Sequence, residues 1–237
     1  MKFHGIEKFS LVDYDGYTAC TLFTGGCNYR CPFCQNAALV LAPDSEPTVD
    51  NAYIEEYLRR RVGILDAVCI TGGEPTLYSE LPDFIKFVRS LGYKIKLDTN
   101  GTSPKMLKEL VNGGLLDYVA MDIKNSPDMY PFTTGTRDAH IDQVIESAKF
   151  LIDAYKSRTV DIEFRTTLVK GHHTEDDMLI IGKWLEGAPR YFLQKFEDKH
   201  NCISSSPLAP IEKNEAEGFA RILNEFIPIV KMRGYSE

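Results

Sequence analysis

Tyr93-Lys94-Ile95-Lys96-Leu97-Asp98-Thr99-Asn100-Gly101 alternates charge with apolar side chains and ends in a turn. Successive side chains of a β-strand point to opposite faces, so Lys94, Lys96 and Asp98 share one face while Ile95 and Leu97 take the other. The alternation recurs downstream. Over 117–124, Tyr118, Ala120, Asp122 and Lys124 lie opposite Val119, Met121 and Ile123; over 159–169, Asp161, Glu163 and Arg165 lie opposite Val160, Ile162 and Phe164. Strands of a doubly wound sheet are covered on both faces and read as continuous apolar runs, which these are not. The lumen of a closed eight-stranded barrel is filled with bulky apolar side chains, and this many charges there would demand strong pairing. A partial barrel with helices outside and a polar, wetted interior meets both constraints.

Further strands are predicted over 17–23, 67–71 and 190–197, giving six that alternate with six helices and hence a parallel sheet: an α/β fold, a partial (β/α)6 TIM-like barrel. Asp50 caps a helix with Tyr53, Ile54, Tyr57, Leu58 and Val62 at helical spacing. The next carries Leu81, Phe84, Ile85, Val88 and Leu91. Ser103-Pro104 opens a third and Gly113-Gly114 stops it. A long helix is predicted over 138–155, and another after Thr174 with its acidic first turn Glu175-Asp176-Asp177. The last has Phe219, Ile222, Leu223 and Phe226 in its stripe, with Pro228 kinking or ending it. The expected organisation is one domain over 1–237, with its core at 17–197, segment 1–16 at one edge and a C-terminal helix over 211–232 at the other.

The chain has 237 residues, 43% of them hydrophobic, enough for one substantial core. A net charge of −7 argues against nucleic acid or an anionic membrane as the main partner. The basic run Arg59-Arg60-Arg61 falls late in a helix, where it serves that C-terminus. No signal-peptide core or run of about 20 apolar residues is evident, so the expected location is cytoplasmic. Of the six cysteines, Cys20 and Cys69 lie in apolar strands and read as buried thiols. Cys202 lies in a polar loop and reads as incidental.

The other three crowd Cys27-Asn28-Tyr29-Arg30-Cys31-Pro32-Phe33-Cys34, directly after the first of the six strands. Such a loop wraps a metal ion, an iron–sulfur cluster or a redox disulfide. Structural zinc takes four Cys or His ligands, and the neighbouring histidines in sequence are as distant as His4 and His140. Clusters too are usually held by four thiolates. Three thiols without a nearby fourth suggest a cluster with one iron open to something that is not protein.

CxxxCxxC with an aromatic before its last Cys resembles the signature of radical S-adenosylmethionine (SAM) enzymes. The resemblance implies a (β/α)6 fold and a [4Fe–4S] cluster on Cys27, Cys31 and Cys34 whose open iron is chelated by SAM. Gly72-Gly73-Glu74, alone a tight turn, then looks like the family's GGE motif, whose backbone and Glu74 bind the methionine ammonium. Asp98-Thr99-Asn100-Gly101 alone reads as an Asx-type turn, and 120–124 as a salt-bridged strand end. Together they resemble the DTNG and DxK stretches of glycyl-radical-enzyme activases, over about residues 5–200. That likeness implies that Asp98, Thr99, Asp122 and Lys124 line the SAM site, some of them holding a monovalent cation beside the methionine carboxylate. Arg165 matches an arginine that helps to hold SAM; its structural alternative is a pair with Glu163. Val169 is either an adenine contact or core. Phe33 covers the adenine edge or the cluster. His172 and His173 read as two solvated histidines, with metal binding the rarer alternative, and His200 is uncommitted.

Phe9-Ser10-Leu11-Val12-Asp13-Tyr14-Asp15-Gly16, with Arg165-Thr166-Thr167, is similar to the branch of anaerobic ribonucleoside-triphosphate reductase activating proteins, which carries Pro where this chain has Asp15. The segment is expected near the partner's docking site. The resemblance implies an oxidoreductase that reductively cleaves SAM and installs a glycyl radical on a partner enzyme, with a flavodoxin- or ferredoxin-type electron donor. Pyruvate formate-lyase or another glycyl radical enzyme is the alternative partner. A non-catalytic iron–sulfur or metal-binding module is the alternative of a different class.

Overall fold

The computed structural model describes residues 1–197, 201–204 and 206–235; His200 lies outside them. The chain opens with strand β1 (Phe3–Ser10) and β2 (Ala19–Thr24), then α1 (Ala37–Leu41), α2 (Asn51–Arg60), β3 (Ala67–Gly72), α3 (Leu81–Ser90) and β4 (Lys94–Thr99). It continues with α4 (Pro104–Asn112), β5 (Tyr118–Asp122), α5 (Tyr130–Thr134), α6 (Ile141–Lys156), β6 (Asp161–Leu168), α7 (Glu175–Trp184), β7 (Tyr191–Lys195), α8 (Lys213–Asn224) and β8 (Val230–Arg233). All eight strands join one sheet in chain order. β1 is antiparallel to β2, every later pairing is parallel, and β1 and β8 stand unpaired with each other at the two edges. The sheet is therefore an open partial barrel.

The six predicted parallel strands are β2 to β7, and two more flank them. β1 escaped notice because an edge strand exposed along much of its length shows little apolar periodicity. The expected C-terminal helix over 211–232 is corrected: α8 ends at Asn224 and Val230–Arg233 is a strand. Pro228 has no N–H to continue the helix and disfavours helical backbone at Ile227. Among the helix starts, Asp50 caps α2 by accepting from the Ala52 amide at 2.9 Å. Thr174 and Asp177 form a full capping box on α7. Ser103 makes no side-chain capping bond, so Pro104 alone marks the start of α4.

The strand faces divide as the alternation requires. Leu22, Val68, Ile70, Ile95, Leu97, Val119 and Ile162 point outward and are fully buried under the helices. At the amino ends of β2, β3 and β5 the inner face carries Ala19, Ala67, Cys69 and Ala120, small enough to admit Tyr14 and Tyr118 as a separate apolar cluster. The β1–β2 loop supplies Tyr14 and closes this end of the barrel. Asp13 and Asp15 of the loop meet charged groups of the lumen: Lys96 Nζ donates to the Asp13 carbonyl at 2.6 Å, and Arg233 reaches Asp15 at 3.1 Å. The segment 9–16 thus lies at the strands' amino ends, opposite the cysteine loop, with Phe9, Leu11 and Val12 exposed. No helix of the described residues is long and apolar enough to cross a membrane.

Candidate active site

Ligands of parallel α/β folds gather at the carboxyl ends of the strands, and the loop between β2 and α1 lies there. Its course is fixed by backbone and side-chain bonds: Gly26 N–H donates to the Leu39 carbonyl at 2.7 Å, and Arg30 N–H to that of Thr134 at 2.8 Å. The Arg30 guanidinium returns to the carbonyls of Cys27 (2.6 Å) and Tyr29 (2.8 Å), and buried Tyr29 donates its hydroxyl to the Ala139 carbonyl at 2.7 Å. Held this way, Cys27, Cys31 and Cys34 line a cavity of about 320 Å³.

The turn after β3 forms the adjoining wall. Gly73 N–H donates to the Thr24 carbonyl and Glu74 N–H to the Gly26 carbonyl, each at 2.8 Å. A Cβ on Gly73 would stand 1.9 Å from that Gly26 oxygen, and Gly72 has a φ of +114° with its own Cβ position 2.4 Å from the Thr24 oxygen. Only glycine fits either place. The pair therefore joins the turn to the cysteine loop, more than a tight turn needs. Glu74 is 1% exposed. Its Oε1 accepts from Thr76 Oγ1 (2.5 Å), Thr76 N–H (3.1 Å) and Thr99 Oγ1 (2.7 Å), and Oε2 from Asn100 N–H (2.6 Å). Burial pushes its carboxyl above the ordinary range, with these donors opposing the shift in part. The carboxylate ties the end of β4 to the β3 turn, and the turn's backbone faces the cavity.

Deeper in the lumen, Arg165 spans two carboxylates. Its Nη2 lies 3.0 Å from Asp98 Oδ2, and its Nε donates to Asp122 Oδ1. Lys124 Nζ pairs with Asp122 Oδ2 at 2.8 Å, and Lys96 Nζ stands 3.2 Å from Asp98 Oδ1, a buried oxygen with an ion-pair neighbour but no hydrogen-bond donor among the described residues. Burial alone would raise both carboxyls, but Arg165 with Lys96 holds Asp98 below its usual range, and Arg165 with Lys124 does the same for Asp122. Burial works against charge on Lys124; Asp122 and the Cys31 sulfur outweigh it and hold the ammonium charged. The alternative pairing of Arg165 with Glu163 is corrected. Glu163 bonds Arg233 at 2.9 and 3.0 Å and the Tyr118 hydroxyl at 2.8 Å instead.

The cavity brings together the cysteines, Phe33, Gly72, Gly73, Glu74, Asp98, Thr99, Asp122, Lys124 and Arg165. Val169 is not among its lining residues; fully buried, it belongs to the core. His172 and His173 are buried, not solvated. His173 bridges the Lys124 carbonyl (2.9 Å) and the Val169 amide (3.1 Å), and His172 stacks on Phe132 with ring centroids 4.9 Å apart. Sequence reasoning missed Asn100 and Asn36. Asn100 reaches Asn28 at 2.9 Å and Cys27 Sγ at 3.8 Å, and Asn36 donates to the Gly72 carbonyl at 2.9 Å. Gln194 at the end of β7 was missed as well. Asn100 and Asn36 adjoin recognised motifs, which was the one available signal.

Burial pushes the Cys27 thiol up to about 11, with Glu74 adding to the shift, and the Cys31 thiol up to about 12, with Lys124 opposing. Metal binding has to displace those protons. Among the described residues no three His, Cys, Asp or Glu side chains converge closely enough to share one ion. Three thiols spread around one cavity suit a multi-iron cluster, in which they ligate different irons, better than zinc.

A half-open parallel barrel thus carries three loop cysteines and a cavity lined by charged groups at its carboxyl end. The family model of the radical SAM superfamily matches residues 21–181, and the chain belongs to that superfamily. The superfamily implies an iron–sulfur cluster and SAM. A protein of Methanocaldococcus jannaschii named as a glycyl-radical enzyme activating enzyme is 31% identical over 97% of this chain and 94% of its own. A Haemophilus influenzae protein of the same name is 28% identical over 58% of each chain. In fold the chain is similar to Streptococcus suis SuiB bound to S-adenosylmethionine, with a TM-score of 0.66 at 14% identity over 90% of this chain and 52% of that one. It is also similar to TYW1, with a TM-score of 0.58 at 18% identity over 87% and 73%.

Proposed function

We propose that this enzyme is an activase that cleaves SAM reductively and generates a glycyl radical on a partner, anaerobic ribonucleoside-triphosphate reductase. The observation that carries the reading is the convergence, in one cavity, of three thiols, with no fourth Cys or His among the described residues lining it, and an ion network one positive charge in excess. The near full-length relatedness to a protein named as such an activating enzyme supports the class. The likeness of segment 9–16 and of 165–167 to one branch supports the partner.

Cys27, Cys31 and Cys34 would hold the [4Fe–4S] cluster. Reduced there by a flavodoxin- or ferredoxin-type donor, such a cluster would supply the one electron that splits SAM into methionine and a 5′-deoxyadenosyl radical, which would take a hydrogen atom from a glycine Cα of the partner. The protein's part is placement. The backbone of Gly72 and Gly73 would bind the methionine ammonium, and Glu74, bonded to Thr99 and Asn100, orients that turn. Arg165 and Lys124 present cations to the methionine carboxylate and are themselves held by Asp98 and Asp122. Phe33, packed edge-on against His172 with centroids 5.8 Å apart, shields the cluster side from water. Thr167 and Gln194 lie farther along the wall, toward the incoming substrate loop.

Anaerobic reconstitution tests the reading. The expected outcome is about four irons and four sulfides per chain, 5′-deoxyadenosine on reduction, and a glycyl-radical paramagnetic resonance signal on the partner reductase. A signal only on pyruvate formate-lyase or another glycyl radical enzyme would keep the chemistry and change the partner. A cluster inert to SAM would overturn both.

A further inference from the structure

Two protein cations, Arg165 and Lys124, and two carboxylates line the cavity, with a third cation, Lys96, behind Asp98. Arg165 lies between Asp98 and Asp122 and contacts both. The outer carboxylate oxygens face Lys96 at 3.2 Å and Lys124 at 2.8 Å. Every oxygen of the pair thus already stands beside a cationic group, and the gap that a monovalent metal ion would bridge is filled by the guanidinium. The group carries a net charge of one positive unit. A metal ion would raise that charge in a place shielded from water, whereas a single carboxylate would neutralise it.

Lys96 is the component that makes this possible. Its side chain is 7% exposed, far below the usual exposure of lysine. It is fastened from beneath by the Asp13 carbonyl at 2.6 Å, in the loop that closes the amino end, and lies about 6.0 Å from the centre of the Tyr118 ring. An ammonium fixed under Asp98 does permanently what a diffusible cation would otherwise do.

We propose that Lys96 and Arg165 serve as built-in counter-cations of the Asp98–Asp122 pair, so that this enzyme binds the methionine carboxylate of SAM without a monovalent metal ion. The proposal rests on the SAM reading above. It makes Lys96 a positioning residue that acts through Asp98 and Arg165.

Two measurements test it. In the reconstituted enzyme, equilibrium dialysis of SAM at constant ionic strength, with potassium, sodium or tetramethylammonium as the sole cation, should give dissociation constants within about twofold of one another. Lys96→Met should weaken SAM binding in tetramethylammonium and recover at least tenfold with potassium, because the vacated place then admits the ion. A tenfold or greater gain from potassium in the wild-type enzyme overturns the proposal. Crystals soaked in thallium(I) give a readout that needs no SAM. Absence of anomalous density between Asp98 and Asp122, with the Arg165 guanidinium there, supports it; a thallium peak at that place refutes it. Failure to bind SAM under every cation would sink the SAM reading, while the thallium result would still decide what fills the gap.

Discussion

At the amino end of the strands the barrel interior is closed, with Tyr14 packed on Tyr118 (ring centroids 5.3 Å apart), Lys96 bound to the Asp13 carbonyl, and Arg233 clamped between Glu163 and Asp15. At the carboxyl end, 27–34 and 72–74 surround a cavity into which three thiols and a peptide turn face. The same alternating strands run through both ends. What differs is that the carboxyl end, beyond its paired charges, also leaves thiols and turn backbone facing a cavity. A fully satisfied polar cluster stabilises and specifies a fold, while groups left facing a cavity are available to a ligand. Damage at the closed end should therefore cost stability, and damage at the open end should cost chemistry.

The sharpest test of that contrast is Cys31→Ala. It should abolish 5′-deoxyadenosine formation, measured by chromatography after reduction, while leaving the circular dichroism of the metal-free protein unchanged. Gly73→Ala should break the contrast, because the open end also has a tightly packed joint. A Cβ 1.9 Å from the Gly26 carbonyl forces the two loops apart, at about 3 kcal/mol by the cost of overpacking, and both urea midpoint and SAM cleavage should fall. Arg233→Met sharpens it from the other side. Glu163, 2% exposed, loses its cation; because Arg233 is partly exposed and Tyr118 still donates, the expected loss is about 2 kcal/mol, with cleavage per folded molecule unchanged.

Acid should act mainly through Asp98 and Asp122. Their folded-state values lie below the ordinary 3.8, so their contribution is complete above that pH and is lost as pH falls through the lower folded values. Urea midpoints measured between neutral pH and pH about 3 should fall less steeply in Asp122→Asn than in the wild type. The smallest effect is expected at Thr174→Ala, whose side chain caps α7 and does not line the cavity: about 1 kcal/mol for the lost cap, read by thermal melting, with cleavage activity retained.

The open end was the more legible in the sequence. Its chemistry is local: three cysteines within eight positions, two adjacent glycines, and a strand ending in Asp98. The six central strands could be read because the helices cover one face while the lumen wets the other, and that contrast leaves a period of two. The closed end is assembled from distant partners. Arg233 meets Glu163 there across 70 positions, as Arg165 meets Asp122 at the cavity across 43, and no local pattern encodes such pairs. Arg165 was therefore open to the wrong partner, Glu163, which shares its strand face. His173 was misjudged for a similar reason. It sits in a loop, yet is drawn inward by the Lys124 carbonyl, closing a bridge of 49 positions. The two edge strands left almost no trace, since β1 mixes buried, half-buried and exposed residues without a period of two and β8 follows a proline that looked like the end of a helix.

The seam where the Gly26 carbonyl meets Gly73 sets an order of assembly. With no side chain between them, these two peptides transmit displacement directly, so iron and sulfide seated in the first loop would also rigidify the second before any sulfonium metabolite arrives. The metal-free chain should therefore pay an ordering cost on meeting that metabolite from which the loaded chain is exempt.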